Sequence, residues 1–344
     1  MRKTRILLTG AGAPGGPGII KALLLNSSFD LYTCDADAFA SGRFLGQPFI
    51  QIPKAADENF ISFILGFCIE NRINAILPLV TSELSHFAKQ KALFLEHGIH
   101  VIVSGYQDLC TANDKGALYQ HLVNNNIHVP EFKIVTTLGE LADAAQQLGY
   151  PKLPVCIKPT LSNGSRGVRI LQEEKSEFDL LFYSKPNHLY STLDHISKIL
   201  AEKKFPELLV SEYLPGMEFT IDAIVQKGIP QLILPRSRTK INAGISIQGT
   251  FIKHAEIINY CDQILRTLNL SGPIGLQVKE DVSHQFQLLE INPRIQGTSV
   301  AALGIGINLP ALAIQQEYEP IDIDYSTIKW GTSFVRYYEE LFYK

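Results

Sequence analysis

The chain of 344 residues is 46% hydrophobic and 19% charged, too apolar to be disordered and too long for one small core. Its net charge of −3 provides no electrostatic footprint for nucleic acid or an anionic membrane, and no apolar run approaches the length that spans a bilayer. These values exclude a nucleic-acid scaffold and an integral membrane protein, and they leave a globular chain of two or three domains.

In chain order, Arg5 to Thr9 reads as a strand, Gly18 to Leu25 as a helix and Leu31 to Asp35 as a second strand. Helix Phe60 to Asn71, strand Ala75 to Leu79, a further helix and strand His100 to Ser104 follow. This alternation predicts a parallel sheet with helices on both faces. From Asn113 the pattern changes. Asp114 to Asn124 and Leu138 to Leu148 read as helices. Lys133 to Val135, Val155 to Lys158 and Val168 to Leu171 read as strands, and Glu173 to Lys204 is helical and partly irregular. Beyond Leu208 a mostly antiparallel sheet is expected, with strands Leu209 to Tyr213, Phe219 to Gln226 and Gln231 to Pro235. Helix Glu256 to Leu268, a hairpin over residues 275–294 and helix Leu309 to Gln316 complete the chain. The five cysteines contain no C-x-x-C pair, and most sit in apolar runs, which fits a reducing cytosol. Met1-Arg2-Lys3 followed by Ile6-Leu7-Leu8 imitates the start of a signal peptide, but the apolar run stops at Thr9-Gly10. A cytoplasmic location is therefore expected.

The hairpin is the most informative segment. In Leu288-Leu289-Glu290-Ile291-Asn292-Pro293-Arg294, strand alternation sends Leu289 and Ile291 to a core and Glu290 and Asn292 to the other face. Arg294 follows them if the chain stays extended. Gly275-Leu276-Gln277-Val278-Lys279 alternates in the same way, with Gln277 on the polar side. Hard oxygen ligands suit Mg²⁺ with substrate phosphates, and an Arg fork suits a phosphoryl oxygen. The plain alternative is a solvent-facing strand; the apolar flanks favour the metal–phosphate reading.

Three other segments carry chemistry. Gly10-Ala11-Gly12-Ala13-Pro14-Gly15 fits G-x-G-x-x-G between a strand and a helix, with Asp35 and Asp37 downstream. A dinucleotide site and a tight ligand-free turn are equally consistent with it. Lys158 closes an apolar strand before the Gly-rich loop Ser162-Asn163-Gly164-Ser165-Arg166-Gly167, whose amides can approach phosphate oxygens. Glu212-Tyr213-Leu214-Pro215-Gly216-Met217-Glu218 reads as a strand, a Pro-Gly turn and a new strand. Such a hinge can read an adenine edge, with Glu218 accepting from ribose hydroxyls, or it is a plain hairpin.

In this order, Asp114-Lys115, Lys158 with its loop, the Glu212-to-Glu218 hinge, Gln277 and Glu290-x-Asn292-x-Arg294 resemble the ATP-grasp superfamily, in the style of its carbamoyl-phosphate-synthase-like branch. The resemblance covers nearly the whole chain. It implies an α/β and α+β fold, with a Rossmann-like pre-ATP-grasp domain over residues 1–111. A small ATP-grasp subdomain with the phosphate flap would cover 112–210, and a C-terminal subdomain with the metal site 211–344. The pre-ATP-grasp domain of this family does not bind NAD, which argues against a dehydrogenase.

The resemblance further implies that Lys115 and Lys158 contact ATP phosphates under a flap containing Ser162, Gly164, Ser165 and Gly167. Glu212, Tyr213 and Leu214 would line the adenine pocket, and Glu218 would bind ribose. Gln277, Glu290 and Asn292 would hold Mg²⁺, with Mn²⁺ as an alternative metal. Arg294 would stabilise the transferring phosphoryl group. Gln277 stands where many relatives have Glu or Asp, which weakens the charge balance of one metal. Arg236-Ser237-Arg238-Thr239-Lys240 places three cations near the presumed site, where Arg236 or Arg238 could hold a substrate carboxylate and Lys240 could reach the γ-phosphate. The alternative is a solvated charged loop. Gly297 and Thr298 are candidates to cradle the acceptor, and Glu83 lies at a strand's C-terminal end.

The expected activity is an ATP- and Mg-dependent ligase that activates a carboxylate as an acyl phosphate and joins it to an amine or similar nucleophile, releasing ADP and phosphate. The alternatives are a carbamoyl-phosphate-synthase-like ATP-binding protein acting with a partner or without turnover, and an NAD(P)-dependent dehydrogenase. Expected partners are small-molecule carboxylates and amines, with no nucleic acid and no membrane, and a homodimer is open to the chain.

Overall fold

The computed structural model describes residues 3–343 except 163, 165, 175, 184–188 and 243, with the side chain of residue 177 also left aside. These residues form two compact units, and both are discontinuous in sequence. The first comprises Met1–Ala112, Glu218–Gln277 and Ile291–Lys344; the second comprises Asn113–Met217 and Val278–Glu290.

The first unit opens with β1 (Thr4–Thr9), α1 (Gly16–Leu24), β2 (Phe29–Asp35), β3 (Phe49–Gln51), α2 (Phe60–Glu70) and β4 (Ala75–Pro78). Next come α3 (Thr81–Lys89), α4 (Lys91–Glu96), β5 (His100–Val101) and α5 (Tyr106–Asn113). The strands pair in parallel in the order β3-β2-β1-β4-β5. Ile6, Leu7, Leu8, Ile76 and Leu77 are all fully buried, as expected of strands covered on both faces. Pro17 falls in the first turn of α1, where its missing N–H costs no helical hydrogen bond, so the helix starts two residues earlier than its apolar pattern suggests. The strand order reverses direction between β1 and β4, whose ends Thr9 and Pro78 are in register. A doubly wound sheet opens a crevice at such a switch point, beyond the C-terminal strand ends.

The second unit contains α6 (Lys115–Asn124), β6 (Phe132–Val135), α7 (Leu138–Gln147), β7 (Val155–Pro159) and β8 (Arg169–Leu171). It continues with α8 (Glu177–Tyr183), β9 (Tyr190–Ser191), α9 (Leu193–Leu200) and β10 (Leu208–Glu212). Its sheet runs β6-β10-β7-β8-β9, antiparallel except between β8 and β9. Leu141, Ala144, Val155, Ile157, Ile196 and Val210 form its core.

The chain then returns to the first unit through β11 (Glu218–Gln226), β12 (Ile229–Ser237), β13 (Lys240–Asn242), β14 (Ile245–Thr250) and α10 (Ala255–Thr267). It ends with β15 (Gly272–Glu280), β16 (Phe286–Asn292), α11 (Leu309–Gln315) and β17 (Ser333–Val335). Strands β12-β11-β15-β16 form one sheet and β13-β14-β17 another. Residues 278–290, the inner part of the β15–β16 hairpin, belong to the second unit. Along β15 the expected alternation holds: Leu276 and Val278 are buried and Gln277 and Lys279 are half-buried. Along β16 it holds for Ile291 but not for Leu289, which is half-buried, whereas Leu288 is fully buried. No helix among the described residues is long and apolar enough to cross a membrane.

Candidate active site

In the second unit the site is built around two buried lysines. Asp114 caps α6, its Oδ1 accepting from the amides of Gly116 and Ala117 at 2.9 Å each. This cap sets Lys115 at the first helical position and contributes about 1 kcal/mol to the helix. Lys115 is 5% exposed; its Nζ donates to the Ser162 carbonyl at 3.0 Å and lies 3.4 Å from Glu290 Oε2. Lys158 is 6% exposed, and its Nζ donates to the Leu289 carbonyl at 3.0 Å and to Tyr119 Oη at 3.5 Å. Tyr119, one turn after Lys115 on α6, anchors its hydroxyl on the Leu288 carbonyl. Burial pulls both ammonium groups below the usual lysine range, opposed for Lys115 chiefly by its ion-pair partner Glu290 and for Lys158 by Cys156 and then the more distant charge of Glu290. Two desolvated cations thus share one carboxylate, an arrangement that favours a polyanion.

The flap follows β7. Gly164 and Gly167 adopt φ of 61° and 77°, which glycine reaches without cost, and a Cβ on Gly167 would lie 2.7 Å from Pro159. Ser162 is held by Lys115, whereas Ser165 lies outside the described residues.

The hinge is pinned on both sides. Glu212 accepts the Glu131 amide at 3.0 Å, fixing the end of β10. Glu280 accepts the Gly216 amide at 3.1 Å and donates its own amide to the Met217 carbonyl at 3.0 Å. Leu214 is buried, and Lys279 Nζ stands 5.2 Å above the Tyr213 ring.

The first unit holds the remaining candidates. Arg294 donates from Nε to Thr81 Oγ1 and from Nη1 to the Ile295 carbonyl, both at 2.9 Å, so it stands at the start of α3. Glu83, two residues past Thr81, is buried and accepts the Thr9 hydroxyl across the switch point. Burial raises its carboxyl to about 7, against the lowering effect of the Thr9 hydrogen bond. The Gly-rich turn is closed from within: Asp35 accepts the Gly12 amide at 2.8 Å and the Asp37 amide at 2.9 Å. A Cβ on Gly15 would lie 2.6 Å from Gly297 Cα, so the third glycine serves close packing against residue 297. The acid that a dinucleotide fold reserves for ribose is thus occupied by the turn itself.

Glu218 is paired across β11 and β12 with Arg238, whose Nη1 lies 3.2 Å from Glu218 Oε1 and whose Nη2 donates to the Gly244 carbonyl at 2.7 Å. Lys240 is exposed at the start of β13. Arg236 and Thr298 are buried and Gly297 is half-buried. Glu290 and Asn292 are alternate residues of β16, and Gln277 lies on β15. Among the described residues no group of three or more His, Cys, Asp and Glu side chains is placed to hold a metal. The carboxylate of Glu290 and the amide oxygens of Gln277 and Asn292 are each hard donors of the kind that Mg²⁺ takes.

Residues 204–331 match the family model described as ATP-grasp in the biosynthetic pathway with Ter operon, and residues 6–102 match that of the PylC-like N-terminal domain. Residues 204–331 are thus similar to an ATP-grasp domain, and residues 6–102 to the N-terminal domain of a PylC-like protein. Among solved structures it is similar to N5-carboxyaminoimidazole synthetase from Staphylococcus aureus complexed with ADP, at 16% identity and TM-score 0.68, covering 93% of this chain and 79% of that one. It is also similar to a biotin carboxylase ATP-analogue complex from Campylobacter jejuni (15%, TM-score 0.70, 96% and 74% covered). A third similar structure is an L-amino acid ligase from Bacillus licheniformis (15%, TM-score 0.66, 94% and 76% covered). At these identities the likeness establishes the shared ATP-grasp fold.

Several residues of the candidate site carry no signal readable alone in sequence. Tyr119 is detectable only by its i,i+4 spacing from Lys115 on the same helix face. Thr9, Thr81 and Glu280 become partners only through the fold.

Proposed function

We propose that this chain is an ATP- and Mg-dependent, ADP-forming ligase of the carbamoyl-phosphate-synthase-like style that joins a small carboxylate to an amine or similar nucleophile. The observation that carries the reading is the pair of buried lysines, Lys115 and Lys158, sharing Glu290.

A carboxylate oxygen attacks the γ-phosphorus, the bond to the β-phosphate oxygen breaks and ADP leaves. The nitrogen of the nucleophile then attacks the acyl carbon, the C–O bond to phosphate breaks, and the nitrogen gives up a proton. Such a site works by positioning and charge neutralisation. Lys115 and Lys158 hold phosphate oxygens, and the loop over 162–167 supplies backbone amides and excludes water. Glu212, Tyr213 and Leu214 take the adenine side and Glu218 the ribose, presented by Arg238. Glu290, Asn292 and Gln277 would hold the magnesium ion, which would supply positive charge to neutralise the phosphates. Arg294, kept in place by Thr81, faces the charge that develops on the transferring group, and Lys240 supplies a further cation. Arg236, Arg238, Gly297, Thr298 and Glu83 are assigned to the substrates. Mn²⁺ as an alternative ion, a homodimer and a cytoplasmic location belong to the same proposal. The location is supported by five unpaired cysteines, and the assembly is tested by mass in solution.

The test is a panel of amino acids and small carboxylates, each with an amine donor and Mg-ATP. ADP and phosphate should appear only with a productive pair. Release of AMP would overturn the acyl-phosphate route, and a tight magnesium-independent response to NAD(P)H would favour the dehydrogenase.

A further inference from the structure

Among the described residues Arg236 is one of the largest side chains fully removed from solvent. Its Nε donates to Asp222 Oδ2 at 3.0 Å. The other oxygen of Asp222 accepts from Ser299 Oγ and from Gln296 Nε2, the latter at 3.2 Å. Gln296 Nε2 also donates to the Ile221 carbonyl at 3.1 Å, and its backbone amide donates to Ser299 Oγ at 3.0 Å. Asp222 is therefore saturated and fixed, and it locks the guanidinium from one side. The opposite edge is different: Nη1 and Nη2 are both buried and neither has a hydrogen-bond partner. An unsatisfied buried donor is costly, more so when charged. A fold that only needed to neutralise Asp222 would not leave that edge bare.

The surroundings resemble a receptor. Phe334 places its ring 5.9 Å from the guanidinium carbon of Arg236. Arg336 is half-buried, and its Nη2 donates to the Pro14 carbonyl of the Gly-rich turn at 2.8 Å. Burial lowers the Arg336 guanidinium and the charge of Arg236 lowers it further, so the two cations feel one another. Asp222 is the ion-pair partner of Arg236, and the second guanidinium, Arg336, biases the surroundings toward an anion. A guanidinium edge with two parallel N–H vectors matches the two oxygens of a carboxylate.

We propose that the Nη1–Nη2 edge of Arg236, with Arg336 beside it, is a subsite for a carboxylate that the reaction does not phosphorylate. The substrate class is then a small acid with a second polar function, such as an α-amino acid or a dicarboxylic acid. Identifying the bound group as part of a substrate rests on the ligase reading; the anion subsite itself does not.

The experiment uses the full chain without nucleotide. Glycine, L-alanine, L-glutamate and malonate are titrated beside their amides and beside inorganic phosphate, with binding read by calorimetry. An acid should bind and its amide should bind at least about tenfold more weakly. Arg236→Lys keeps the charge beside Asp222 but loses the fork, and it should weaken the acid about tenfold or more. Arg336→Gln, which leaves the Asp222 pair intact, should weaken it severalfold and guards against a folding defect in the first variant. Equal binding of acid and amide, unchanged affinity in both variants, or no binding by any acid overturns the subsite. Binding of phosphate alone, lost in Arg236→Lys, overturns the carboxylate assignment in favour of a phosphoryl group. ADP release with Mg-ATP is read separately. An Arg236-dependent acid that never supports ADP release removes the ligase reading and keeps the subsite. ADP release unaffected by either variant does the reverse.

Discussion

Lys115 holds its ammonium 3.4 Å from Glu290 Oε2, joining the first turn of α6 to β16. A carboxylate that compensates a buried lysine and also faces a metal has to divide its charge between them. Glu290→Ala is expected to abolish ATP-dependent turnover, at least about a hundredfold, while the chain stays folded. Its nucleotide affinity should lose its response to magnesium. Near-normal turnover, or a magnesium response like that of the parent chain, would sink this assignment.

Lys158 gives the opposite balance between stability and binding. Its ammonium is desolvated and its charge partner is shared. Lys158→Met removes a buried cation and should leave the unliganded melting temperature unchanged or higher. Affinity for Mg-ATP should fall about ten- to a hundredfold, or roughly 1.4 to 2.8 kcal/mol. A thermal shift by Mg-ATP as large as in the parent chain would contradict the phosphate role.

Glu83 predicts a pH effect with a definite sign. Its folded value of about 7 lies above the ordinary glutamate value of 4.5 because burial penalises the charged form. The folded state therefore keeps the proton that the unfolded state releases, and stability falls as pH rises from about 4.5 to 7. The full penalty above that window is about 3 kcal/mol. Glu83→Gln can still accept the Thr9 hydroxyl but cannot ionise. Melting curves between pH 5 and pH 8 should show a decline in the parent chain that is much shallower in the variant; parallel declines would refute it.

Gly15 separates packing from nucleotide recognition in the first unit. Its backbone, at φ −98° and ψ −11°, suits any residue, so the restriction is the 2.6 Å approach of a Cβ to Gly297. Gly15→Ala should cost about 1–3 kcal/mol and lower the melting temperature. The turn should be indifferent to NAD(P)H before and after the change. A nicotinamide cofactor that stabilises the parent chain but not the variant would reverse this reading.

The elements with strong periodicity were legible in sequence: β1, α1, β4, α6 and the β15–β16 hairpin lie within a few residues of their expected bounds. Strand β14 was not, because Gly249 interrupts its pattern. A Cβ there would lie 2.1 Å from the Ser237 carbonyl, so a close approach of two chains reads in sequence as a loop. The candidate site was legible where one strand or helix carries the groups, as with Glu290 and Asn292. It was not legible where the sheet's switch point brings them together, as with Thr9 and Glu83. Arg236 and Arg238 looked equivalent in a charged run. Their partners separate them, with Arg238, just past the end of β12, on Glu218 and Arg236 on Asp222.

If Lys115 takes a nucleotide phosphate as proposed, its hold on the Ser162 carbonyl would couple the footing of the flap to the nucleotide. A phosphate that draws the ammonium toward itself also pulls on the first residue of the loop, and Arg166 lies exposed four residues further on. Limited trypsin digestion at Arg166 would therefore act as an occupancy gauge, with the cutting rate tracking nucleotide even before any substrate is known.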